Sequence, residues 1–475
     1  MKRSPLPLLA SATLLFSAAF TTAADFPARP PADVTRVMDR DQMMSQLGVT
    51  FPEQGPRGED PNRPANARPT DPENPNANWT DEDGNVVVRG GFGLWVTYDD
   101  DNPGDYTPID LLKMNDGTPV RTPDDWWTKR RPEIFHDVQD QLYGFLPPAD
   151  QMPGVTWSVK STVGGDLKAP YVEQTITGTI DTSSYPEVRD APKISARLRV
   201  PAYADAPVPV IILIGTRGFE NLYDEFIAPE GWGLCSFDIN AVQPDNGQYL
   251  TSYLIGLVNK GAWRKPTDMG QLVAGAWGIG RLIDHLETNA NIDPKKIGLT
   301  GHSRWGKATT VAMAFEPRLA IAYPSCGGAL GPSMIRRHWG QNLENLSWDR
   351  EYHWVNGNAF NYMGPLHEGQ YLPRKVESLT VDAHSMIALA APRPVFLNGG
   401  TRDTWSDAPG TFLTGVGASP VYELLGAKGL VAPADGPVVD EAYLEGDIGY
   451  RVHDGGHTPI PDWPAFVEFA KKYFE

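Results

Sequence analysis

A serine hydroxyl becomes a useful nucleophile only when a base takes its proton, a carboxylate orients that base, and donors wait for the oxyanion. The segment Gly301-His302-Ser303-Arg304-Trp305-Gly306-Lys307 offers such a serine. It follows a turn and short strand at 293–300 and precedes a helical stretch at 308–315. Ser303 therefore sits on a sharp strand-to-helix turn, which exposes its oxygen and aims a helix N-terminus at developing negative charge. The pattern departs from Gly-x-Ser-x-Gly, because Trp305 stands where the second glycine is expected and Gly306 follows one residue later. On motif alone, a serine-containing turn without chemistry is the alternative.

The base and its carboxylate should follow in the order serine, acid, histidine. His457, in Asp454-Gly455-Gly456-His457, lies in a glycine-rich loop before the last helical stretch at 463–474. Its rival His453 follows Tyr450, Arg451 and Val452 in what reads as a strand. For the acid, Asp403 follows the strand at 394–398 through Gly399-Gly400-Thr401-Arg402, with Asp407 and Asp454 as alternatives.

The elements that must hold these residues alternate. A helix is expected over 126–146, ending at Pro147-Pro148, and alternating apolar residues at 156–163, 172–180 and 193–200 read as antiparallel strands. The run Val208-Pro209-Val210-Ile211-Ile212-Leu213-Ile214-Gly215 and the stretch 233–239 have the continuous apolar character of strands covered on both faces. Helices are expected over 268–286 and 382–390, and a strand over 320–323. Strands alternating with helices predict an α/β fold, a three-layer sandwich with a mixed, mostly parallel central sheet.

Composition narrows the partners. The 475 residues carry a formal charge of −18, so nucleic acid and anionic membrane surfaces are poor candidate partners and neither is expected. Residues 1–24 have the basic start, apolar middle and small-residue end of a signal peptide, which predicts a secreted or periplasmic protein. Residues 25–80 are expected to form a Pro-rich extension or linker, poorest in aliphatic residues over 52–78, and 81–475 the catalytic domain. Two cysteines, Cys235 and Cys326, are too few for a disulfide framework, though a single bridge between them stays open. A monomer is the expected state.

From Trp126 to the C-terminus the sequence resembles the bacterial branch of the glucuronoyl esterases. The resemblance rests on 301–307, on Ala276-Trp277-Gly278 with Arg281-Leu282-Ile283-Asp284, and on Ala390-Ala391-Pro392-Arg393-Pro394. It implies an α/β-hydrolase fold and a serine esterase, needing no metal or cofactor, that cleaves esters of (4-O-methyl-)glucuronic acid on glucuronoxylan with lignin alcohols. It also implies that Arg304 stabilises the oxyanion and that Lys307, Trp405, Gln341 and Glu344 contact the sugar. Two positions depart from the family's pattern. Gln341 stands where many relatives carry Glu, and Cys326 stands where many carry the catalytic Glu. A thiol cannot balance an imidazolium as a carboxylate does, so Asp403 is the expected acid and Cys326 is expected to be structural. An acetyl-xylan or feruloyl esterase, or a non-catalytic polysaccharide-binding relative, are the competing readings.

Overall fold

Ten strands form the central sheet: β5 (Val155–Gly164), β6 (Tyr171–Ile180), β7 (Lys193–Pro201), β8 (Val208–Ile214), β9 (Gly233–Phe237), β10 (Ile292–His302), β11 (Ile321–Ser325), β12 (Val395–Gly400), β13 (Ala442–Tyr443) and β14 (Ile448–His453). The short strands β1 (Arg68–Pro69), β2 (Trp79–Thr80), β3 (Val86–Arg89) and β4 (Trp95–Thr97) precede them in a small antiparallel ladder. This computed structural model describes residues 26–49, 107–165, 170–337, 339–363, 376–433 and 435–475, together with those four short strands. The expected signal peptide lies outside the described residues, as does most of the Pro-rich stretch.

The sheet order is β13-β14-β12-β11-β10-β8-β9-β7-β6-β5. Six strands from β9 to β14 run parallel, while β5, β6, β7 and β13 pair antiparallel at the two ends. The parallel part has both faces covered, which explains its unbroken apolar runs. In β8, Val210, Ile212 and Ile214 pack into the larger core, while Ile211 and Leu213 face a second core with Phe219, Trp463 and Phe466. Period-two side-chain alternation thus feeds two apolar layers from one strand, giving the three-layer sandwich. β5 is the opposite case, an edge strand whose side chains are largely exposed.

The helix expected at 126–146 is a continuous helical stretch from Pro123 to Tyr143, with two wider π turns, ending at Gly144 with φ +87°. A Cβ at Gly144 would lie 2.3 Å from the Asp268 carbonyl oxygen, so only glycine fits there. Two features differ from expectation. Ala408–Leu424 is a 17-residue helix despite its interior Pro420, capped by Asp407, whose side chain accepts from the Gly410 N–H. Within the expected extension, Arg36–Leu47 is a helix, N-capped by Thr35 and ended by a left-handed Gly48, with Met43 and Met44 buried. The boundary at 80/81 also falls inside the small ladder, where Trp79 pairs with Val87. No described helix is long and apolar enough to cross a membrane.

Candidate active site

β10 delivers Ser303 at its carboxyl end, and the helix Arg304–Phe315 begins at the next residue. Ser303 has φ 62° and ψ −127°, a backbone conformation that a side chain-bearing residue adopts only under constraint. Three hydrogen bonds impose it: the Ser303 N–H donates to the Ser325 carbonyl (2.9 Å), and the Gly306 and Lys307 N–H groups donate to the Ser303 carbonyl (2.7 and 3.2 Å). The displaced glycine has a steric reason. A Cβ at Gly306 would lie 2.5 Å from the Ser325 carbonyl oxygen and 3.0 Å from the Gly327 Cα, so position 306 is where the helix crosses the end of β11. Trp305, by contrast, is half-buried and lies beside Gly215 at the end of β8, where an indole fits.

His457 Nδ1 lies 2.7 Å from Asp403 Oδ2, with Asp403 buried and the imidazole partly open to solvent. The ring of His457 packs at 4.4 Å from that of His302, the chain neighbour of Ser303. Burial and the adjacent His457 push the His302 pKa down to about 4, so its ring stays neutral beside a base that must become cationic. Ser406 Oγ, 3.4 Å from His457 Nδ1, donates to the Cys326 carbonyl at 3.2 Å.

The rivals have other work. His453 is buried, with Nδ1 2.7 Å from Asp462 and Nε2 3.0 Å from the Gly456 carbonyl oxygen. Asp462 also accepts from Arg451 and from Asn398, and Asn398 accepts from the Cys326 N–H. This buried network ties β12 and β14 to the loop that carries His457. Asp407 pairs with Arg337 at 2.7 Å and caps a helix, while Asp454 is exposed and pairs with Arg402.

Cys326 and Cys235 are both free, so the bridge left open by the sequence does not form. The Cys326 sulfur and the ligand atoms of Asp403 and His457 lie within 4.8 Å of one another. Burial, reinforced by Asp403, pushes this thiol up, so a neutral S–H lies beside the His457–Asp403 pair.

Arg304 Nη1 donates to Asp245 Oδ2 at 2.5 Å, and its guanidinium lies 5.5 Å above the Trp354 ring. Asp245 also meets His353 Nε2 (2.8 Å) and accepts from Trp354 Nε1 (2.6 Å). Burial alone would raise the Asp245 pKa, but His353, Arg304 and Trp354 together hold it well below the usual carboxylate range. The pairing with a carboxylate and a role at the oxyanion are compatible: a clamped Arg304 is an oriented one, carried on the residue after Ser303.

The resemblance implies that Lys307 contacts the sugar; within the protein itself the side chain has its own partners. It is buried, and Nζ donates to the carbonyls of Gly327 (2.7 Å) and Ala329 (2.5 Å) and to Gln341 Oε1 (2.6 Å). Gln341 Nε2 donates in turn to Glu351 Oε2 at 3.1 Å. Burial lowers the Lys307 pKa and raises that of Glu351, each opposed by the other's charge. Trp405 is half-buried, and its carbonyl accepts from the Gln341 N–H at 2.9 Å. The Glu344 side chain lies outside the described atoms. A cleft of about 380 Å³ opens beside Arg304, lined also by Arg36, Asp245, Asn246, Trp348, Arg350 and Glu351. Asp245, His353, Trp354 and Glu351 were missed by the sequence reading. Only Asp245 carried a signal, as an acidic residue in the loop beyond the carboxyl end of β9.

Over residues 187–426 the chain matches the family described as glucuronyl esterase, fungi. It is similar to a carbohydrate esterase family 15 glucuronoyl esterase from Teredinibacter turnerae, at 29% identity with TM-score 0.74, covering 93% of this chain and 100% of that one. A glucuronoyl esterase from Solibacter usitatus is 28% identical with TM-score 0.69, covering 79% of this chain and all of its own. A carbohydrate esterase from an unknown prokaryotic organism is 27% identical, over 82% of this chain and 94% of that protein. The 4-O-methyl-glucuronoyl methylesterase of Schizophyllum commune is 27% identical over 67% of this chain and 73% of its own. With the serine turn, the His–Asp pair and the clamped arginine, the match over half of the sequence places this chain in the glucuronoyl esterase family, as a carboxylesterase of α/β-hydrolase fold.

Proposed function

We propose that this protein hydrolyses esters between (4-O-methyl-)glucuronic acid side groups of glucuronoxylan and lignin alcohols, by a Ser303-His457-Asp403 acyl-enzyme mechanism. The 2.7 Å contact between His457 and the buried Asp403 carries the reading. His457 takes the Ser303 proton as the hydroxyl attacks the ester carbonyl, and Asp403 balances the imidazolium. The oxyanion meets the Arg304 guanidinium and the N–H groups of the first helical turn. His457 then gives its proton to the departing alcohol, and a water, activated by the same base, releases the uronic acid from Ser303. The polar cleft beside Arg304 falls in the size range of small-molecule sites and suits a hydroxyl-rich ring. Export, to periplasm or medium, fits a polymer substrate that cannot enter the cell, and the protein is proposed to act as a monomer.

The test compares turnover of methyl and benzyl glucuronate esters with that of acetylated xylan and methyl ferulate. Glucuronate esters should be preferred by at least an order of magnitude. Equal or greater rates on acetylated xylan or ferulate would sink the assignment.

A further inference from the structure

Cys326 takes no part in the proposed hydrolysis, yet its sulfur stands within 4.8 Å of a His457 ring nitrogen and of an Asp403 carboxylate oxygen. His457 Nδ1 and Asp403 Oδ2 are themselves 2.7 Å apart. A thiolate, an imidazole nitrogen and a carboxylate oxygen are the ligands of a zinc-like ion, which takes them tetrahedrally at about 2.3, 2.0 and 2.1 Å. Those bond lengths put neighbouring ligand atoms about 3.3 to 3.6 Å apart, so each contact has to adjust by only about 1 Å. Little holds the sulfur back. Its contacts with Asn398 Oδ1 and the Thr458 carbonyl oxygen are long, at 3.8 and 3.9 Å. Cys326 and Asp403 are buried, but the His457 side chain is 38% exposed, so an ion reaches the set past the imidazole. Thiolate and carboxylate together cancel the charge of a divalent ion, which a largely buried position requires.

We propose that Cys326, Asp403 and His457 Nδ1 form an inhibitory site for a thiophilic divalent cation of the Zn²⁺ and Cd²⁺ class, which silences the esterase from behind its base. The cation is an inhibitor and not a cofactor. As the sulfur–metal bond forms, the Cys326 S–H bond breaks and its proton leaves to solvent. The Nδ1 proton, held by Asp403 in the resting enzyme, passes to Nε2 as Nδ1 takes the metal. The ring then presents an N–H where it must accept the Ser303 proton, so turnover stops while the cleft beside Arg304 stays free. The silencing rests on the proposed role of His457 as base; the binding does not.

The probe is the metal alone, added to the enzyme as Zn²⁺, Cd²⁺, Co²⁺ or Mg²⁺, with hydrolysis of the best-used ester as readout. Micromolar Zn²⁺ or Cd²⁺ should lower kcat at least about tenfold with KM unchanged, and a chelator should restore the rate. Millimolar Mg²⁺, which prefers oxygen ligands, should leave the rate as it is. C326A and C326S, each read against its own metal-free rate, should need at least about tenfold more Zn²⁺ for the same inhibition, whereas C235A should match wild type. Co²⁺ should give wild type, and not C326A, the intense near-ultraviolet absorption of a cobalt–thiolate bond. That spectrum needs no turnover, so it decides the site even where another ester is preferred or C326A folds poorly. Undiminished Zn²⁺ inhibition in both Cys326 variants, inhibition that competes with substrate, or a wild-type Co²⁺ spectrum without the thiolate band overturns the site. A thiolate band in an enzyme that keeps its full rate overturns the silencing and, with it, His457 as the base.

Discussion

At the scale of residues, the catalytic assignment makes sharp demands. Ser303→Ala should remove hydrolysis of a glucuronate ester by at least about 10³-fold, and Asp403→Asn should lower kcat by about 10⁴-fold while the fold stays intact, both read by steady-state kinetics with circular dichroism as control. Cys326→Ala should change kcat less than about fivefold, because a neutral thiol supplies no charge to the imidazolium. A loss comparable to that of Asp403→Asn would mean that the acid has been misplaced. Ser303, His457 and Asp403 could be named as candidates from the sequence because each sits at a glycine-marked strand end, and the structure brings His457 and Asp403 into contact. The partners of Arg304 could not be. Asp245, His353 and Trp354 come together only through tertiary packing, over more than a hundred residues of separation. Gln341 was legible as a departure from the family's pattern, but its place between Lys307 and Glu351 could be read only from hydrogen bonds.

At the scale of elements, position 306 shows why a motif can shift by one residue. The helix touches β11 at Gly306, so Gly306→Ala pushes a Cβ into backbone that cannot yield. About 2 kcal/mol of destabilisation is expected by denaturant titration, with kcat falling as the Ser303 turn distorts. The N-terminal helix was harder to read. Its apolar content is low, and beside the buried Met43 and Met44 polar bonds anchor it: the Tyr352 hydroxyl donates to Asp39 at 2.9 Å, and Gln46 donates to the Arg264 carbonyl at 2.8 Å. Burial raises the Asp39 pKa to about 6, only partly offset by Arg264 and Tyr352. Asp39 therefore favours the fold most when protonated. Its contribution is complete below the ordinary carboxylate pKa near 4, is lost as pH rises toward 6, and amounts to on the order of 3 kcal/mol. Between pH 4 and 7, Tm of the wild type should fall relative to Asp39→Asn, and parallel Tm curves would refute this. The helix Ala408–Leu424 escaped the sequence reading for another reason: its glycines and Pro420 are poor helix formers, and burial against β12 and β14 overrides propensity.

At the scale of the whole molecule, the sandwich was legible because β8 and β9 need apolar cover on both faces, a demand written in continuous runs of Val, Ile and Leu. Cys235 and Cys326 stand on β9 and just after β11, three ladder steps apart, so the sheet alone separates them by about 14 Å, too far for a bond. Dithiothreitol should therefore leave Tm and activity unchanged, and a fall in either would reveal a cross-link. The docking of the N-terminal helix has a further consequence, in time. Tyr352 bonds to Asp39 across 313 positions of chain and to the Arg36 carbonyl across 316, so the first wall of the cleft to be synthesised waits for more than three hundred further residues before this anchor exists. His457 emerges later still. A nascent chain thus holds neither the proposed base nor a finished cleft until His457 has been synthesised, and hydrolytic competence is expected only from that point.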